Sequence, residues 1–104
     1  MKVRAVGGSR AISSNSSTTF KTSASALAAN DYRKSFTITN MATGKLYVNL
    51  SSTTPSATAC HFVLPGGGSA ADGTGGSLNV DGYVGEVKVL GTGSGGSYSV
   101  VEFV

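Results

Sequence analysis

Along residues 33–50 (RKSFTITNMATGKLYVNL) apolar and polar side chains alternate, break, and alternate again. Phe36, Ile38 and Asn40 point one way while Ser35, Thr37 and Thr39 point the other. After a break at 40–44, Leu46, Val48 and Leu50 alternate with Lys45, Tyr47 and Asn49. A period of two with β-branched and aromatic residues predicts half-buried strands. The Asn, Thr and Gly of the break are loop formers, so the segment is expected to fold as a β-hairpin.

The rhythm continues. CHFVL at 60–64 predicts a compact strand stopped by Pro65, Leu78 and Val80 lead to an Asp81-Gly82 turn, and Val87 and Val89 alternate with Glu86 and Lys88. In the closing segment 97–104 (SYSVVEFV), Val101 and Phe103 share one face. Tyr98, Val100 and Val104 on the other are too apolar for open solvent. They are candidates for burial against another subunit; a central position within the monomer is the alternative. Residues 20–29 (FKTSASALAA) read as an extended strand of small side chains. Seven or eight strands joined by short connections, with no helical crossover, must pair antiparallel. The fold class is therefore all-β, an antiparallel β-sandwich or jelly roll with Gly/Ser-rich loops.

Composition adjusts this picture. Gly, Ser and Thr make up 42 of the 104 residues, and only 12% of residues are charged. The surface is hydrated by hydroxyl groups more than by charge. Residues 7–18 (GGSRAISSNSST) offer little to bury, so 1–18 is expected to be a flexible N-terminal arm before a domain at 19–104. Its deletion is expected to leave the domain folded and to weaken docking. Residues 66–77 (GGGSAADGTGGS) read as a second flexible loop.

Charge is unevenly placed. Up to Leu50, seven basic residues stand against Asp31 alone; beyond it, Lys88 stands against Asp72, Asp81, Glu86 and Glu102. Such a chain is suited to docking on copies of itself or on an acidic partner, unless the two halves interleave in the fold. Arg4, Arg10, Arg33 and Lys34 are the basic interface candidates, joined by Tyr98, Val100 and Val104. The chain has one cysteine, no apolar run of signal-peptide length and no stretch long enough to span a membrane. Cytoplasmic synthesis without a membrane is the expectation.

Candidate chemistry is sparse. GTGSGG at 91–96 matches a dinucleotide-binding spacing, but that motif works only at the start of a helix, and a strand pattern follows. Cys60 and His61 are adjacent, so on a strand they face opposite sides and cannot meet as nucleophile and base. The carboxylates are too few and scattered for a catalytic pair. No catalytic, metal or cofactor residue is nominated, no nucleic-acid partner is expected from the lone Arg33-Lys34 doublet, and the chain is not expected to be an enzyme.

The strand-and-turn pattern as a whole resembles small structural proteins of tailed bacteriophages. ALAANDYRKSFTITNMATGKLYVNL at 26–50 is similar to a recurrent opening in such chains, and FVLPG at 62–66, VDGYVGEV at 80–87 and the terminal VVEF are similar to later segments. The long start before residue 19 and the glycine-rich stretch at 66–77 depart from that pattern. The resemblance implies a virion component, most simply a capsid decoration (cement) protein on the capsid surface. Its partners would be the major capsid protein or other virion proteins, with a trimer or dimer of the chain itself. A receptor- or carbohydrate-binding module of a phage fibre is the alternative.

Overall fold

Alternating side chains make strands, and the strands here assemble into two sheets. The computed structural model describes residues 11–16, 24–68, 74–92 and 98–104. The strands are β1 (Ala11–Ser16), β2 (Ala24–Leu27), β3 (Ser35–Asn40), β4 (Leu46–Asn49), β5 (Phe62–Leu64), β6 (Ser77–Asp81), β7 (Val87–Gly91) and β8 (Tyr98–Phe103). No helix occurs among the described residues. One sheet has the order β1-β8-β3-β6 and the other β2-β7-β4-β5, all neighbours antiparallel. The pairs 1–8, 2–7, 3–6 and 4–5 are nested one inside the next. That is the winding of an eight-stranded jelly roll, and it is the all-β sandwich the pattern predicts.

The 33–50 segment differs from expectation in one respect. β3 pairs with β6 and β8, whereas β4 pairs with β5 and β7. The segment is therefore an arch between the sheets, not a hairpin. Its apolar faces meet across the core instead of lying side by side. Phe36 and Ile38 from β3 and Leu46 and Val48 from β4 are fully buried there with Val87, Val89 and Val100.

The final strand is the second difference. β8 lies between β1 and β3, so it is not an edge. Its register sets Val100 against Ile38 and Glu102 against Phe36, which turns Tyr98 and Val100 into the core. Val101 and Phe103, expected inside, are half-buried on the outer face beside Thr37 and Ser35.

The third difference concerns the arm. Ala11–Ser16 is a strand that pairs with β8 along its whole length, so this part of residues 1–18 belongs to the sheet. It completes the hydrogen bonding of a central strand, which a Ser-rich sequence does as well as an apolar one because the bonds are backbone bonds. Residues 1–10 of the expected arm lie outside the described residues.

Candidate functional site

Antiparallel winding sends successive connections to opposite ends of the sandwich. The loops 28–34, 50–61 and 82–86 gather at one end; 41–45, 65–68, 74–76 and Thr92 gather at the other. Each end is tied by buried polar side chains.

At the first end the tie is Arg33. Its side chain is 0% exposed. Nε donates to Glu102 Oε1 at 2.9 Å, Nη1 to the carbonyls of Gly85 (2.8 Å) and Tyr83 (3.2 Å), and Nη2 to the carbonyl of Ala28. The guanidinium carbon lies 5.8 Å from the centre of the Phe36 ring. One planar fork thus binds the 28–34 loop, the 82–86 loop and the end of β8. Asn30 strengthens the tie, its amide bonded to the Val84 carbonyl and its Oδ1 accepting from the Tyr32 amide.

At the second end the tie is Asn40, also fully buried. Its Oδ1 accepts from the Ala42 amide, and its Nδ2 hydrogens are shared among the carbonyls of Gly44, Pro65 and Leu64 at 2.9–3.2 Å. Gly66 passes so close that a Cβ there would lie 2.1 Å from the Thr43 carbonyl oxygen. Gly66, Gly75 and Gly76 are packing residues, where a flexible loop was expected.

The first end carries the features open to a partner. Tyr32 projects from its loop tip, 82% exposed, and Val84 is exposed on the adjoining loop. At the same end Asn49, Ser51, Thr53, Ala59, Cys60 and His61 line an open pocket of about 390 Å³. The 50–61 loop that forms it is ordered by bonds of its own. Asn49 Nδ2 donates to the Thr53 carbonyl, the His61 amide donates to Asn49 Oδ1, and Ser56 and Ala59 exchange backbone bonds. Pro55 is fully buried beneath it. His61 Nδ1 accepts the Leu50 amide at 2.9 Å. In the neutral ring the proton is then on Nε2, so this imidazole presents a donor to the pocket and has no lone pair left to take a proton from Cys60. The lining mixes the polar groups of Asn49, Ser51, Thr53 and His61 with Ala59 and Cys60. Among the described residues no three of His, Cys, Asp and Glu come together as a metal would need.

Several interface candidates fall elsewhere than on a docking surface. Arg33, Tyr98 and Val100 are inside the domain, the first as the loop tie and the others as core. Burial of Arg33 also removes it from the basic doublet with Lys34. Lys34 is exposed, with its amide bonded to the Phe103 carbonyl, and Val104 is half-buried. Arg4 and Arg10 lie outside the described residues. The buried asparagines were missed as ties, although Asn40 sits in phase with Phe36 and Ile38, a polar residue on a core-facing position. The pocket left no comparable signal, because it arises from the path of an irregular loop.

No protein family, curated protein or solved structure matches this chain.

Proposed function

We propose that the chain is a virion structural protein of a tailed bacteriophage, a capsid decoration protein that bridges neighbouring capsid subunits. The observation that carries the reading is the jelly-roll winding, a fold used by viral capsid domains and by lectins. This is fold-level analogy, joined to the sequence resemblance at roughly 24–104, because a fold hosts many functions. The physics of the role agrees with the molecule. A cement protein needs a stiff body with loops held in fixed places, and two buried ties supply that at either end. It needs no chemistry of its own. Binding only the assembled shell would stabilise that shell by mass action. The proposed partners are the major capsid protein and further copies of the chain, at the capsid surface after synthesis in the host cytoplasm.

Purified particles test the proposal. The protein is expected to co-purify with them at a fixed number of copies per shell, and shells lacking it are expected to melt at lower temperature. Its absence from washed particles would end this reading.

One observation favours a second reading, a receptor- or carbohydrate-binding module. The pocket and the exposed Tyr32 ring occupy the same end of the sandwich, and an exposed ring together with hydrogen-bonding groups suits a sugar. Binding of the isolated domain on a glycan array, lost on Tyr32→Ala, would select this alternative.

A further inference from the structure

A sandwich of two open sheets has four edges, and among the described residues they are β1, β6, β2 and β5. Edges invite foreign strands unless they are blunted. β6 ends at an exposed Asp81, and β2 is interrupted by a register shift between Ser25 and Leu27. β1 follows directly on Arg10 in the chain. Among the described residues β5 has no such guard. Its Phe62 and Val63 are 38% and 46% exposed, and no Asp, Glu, Lys or Arg occurs anywhere between Lys45 and Asp72.

Charge decides what fits there. The chain carries a net +3, so a contact that brings like patches of two copies together is least opposed where neither is charged. The neutral β5 edge is such a place, and a two-fold contact requires a patch that complements itself. The face behind it is also apolar. Val63 stands in register with Tyr47, and Tyr47 with Leu90, forming a row across the outer face of the second sheet.

We propose that β5 is the seat of a symmetric dimer, in which β5 of one copy pairs antiparallel with β5 of a second copy. The two four-stranded sheets then become one sheet of eight strands. A three-residue strand that pairs with itself along its full length has its axis at the middle residue. Val63 therefore lies opposite Val63 of the second copy, and Phe62 opposite Leu64. The apolar row runs on across the seam. Self-association was expected at the final strand; with β8 internal, β5 takes that place. The inference deepens the homo-oligomer within the virion reading and rests on that reading for its use, not for its geometry.

Light scattering on the isolated full-length protein tests it. A dimer is expected that dissociates on dilution, and Val63→Lys is expected to weaken it at least ~10-fold through like charges placed face to face. Val63 is half exposed, so the variant should keep the parent melting temperature at dilutions where both are monomers. In a second variant, Cys60→Ser with Val63→Cys, the new thiols face each other across the axis at close to disulfide-forming distance. Mild oxidation is expected to convert it to a covalent dimer. A monomer at millimolar concentration, a trimer, a dimer indifferent to Val63→Lys, or a dimer whose Val63→Cys form does not cross-link would each overturn the proposal. A protein that stays monomeric and still co-purifies with particles overturns this edge alone and leaves the virion reading standing.

Discussion

Arg33 carries a full charge to a position that water does not reach, and the fold surrounds it with acceptors. Glu102 neutralises it, and the carbonyls of Ala28, Tyr83 and Gly85 take three more of its donors. Breaking a buried pair by removing one partner costs about 3–5 kcal/mol, because the other is left uncompensated. A domain of this size has roughly 5–15 kcal/mol in all. Arg33→Ala is thus expected to leave a protein close to unfolding, read as a large fall in urea midpoint. Arg33→Lys keeps the charge but presents a single ammonium in place of a planar fork. It is expected to recover only part of the loss, since one ammonium cannot serve Glu102 and three separated carbonyls. Full recovery by lysine would show that charge alone matters. At the other end Gly66 is fixed by space, with the backbone carbonyls of Thr43 and Gly44 standing where a Cβ would go. Gly66→Ala is expected to cost about 1–3 kcal/mol, the range for forcing atoms into a packed site. Gly82 is held differently, by a φ of +83° in the turn after β6.

At the scale of elements, alternation located strands and failed to locate their partners. β3 and β7 are buried at every second residue, as their sequences predict. Nothing in 33–50 distinguishes a hairpin from an arch, because both need two strands and a break between them. The choice is made by what pairs from elsewhere in the chain. Residues 98–104 misled for a related reason. Apolar groups lie on both faces, and the face with Val101 and Phe103 looks the better core. The fold instead turns Glu102 inward, where Arg33 receives it, and Tyr98 and Val100 go with it. An ion pair made by residues far apart in sequence cannot be read from either residue. β1 was hidden because its contribution is backbone hydrogen bonding, which leaves no apolar pattern. This corrects the expectation for truncation. Deletion of residues 1–18 removes β1 and bares one edge of β8. A loss on the order of 3 kcal/mol is expected, from a ladder whose bonds are each worth about 0.5–1.5 kcal/mol net. Aggregation of the truncated protein is expected with it. An unchanged urea midpoint would show that β1 adds nothing to the isolated domain.

For the whole molecule, the nested pairing fixes the order in which contacts become affordable. β4 and β5 are sequence neighbours, while β1 with β8 joins Ala11 to Phe103, almost the length of the chain. Each enclosing pair must close a longer loop unless an inner pair has already shortened it. The entropically cheapest route starts at β4–β5 and zips outward through 3–6 and 2–7 to 1–8. Refolding should then be slow, milliseconds to seconds, as for other all-β domains dominated by distant contacts. The order itself can be tested with two buried valines of the same size, Val48 on β4 and Val100 on β8. Truncating either to alanine removes about two methylene-sized groups, so each should cost on the order of 2 kcal/mol. Their kinetic signatures should differ. Val48→Ala is expected to act mainly on the folding rate, with a φ-value above about 0.5, and Val100→Ala mainly on the unfolding rate. If Val100→Ala slows refolding as much as Val48→Ala, the sheet closes around β8 first, and the outward zipper is the wrong route.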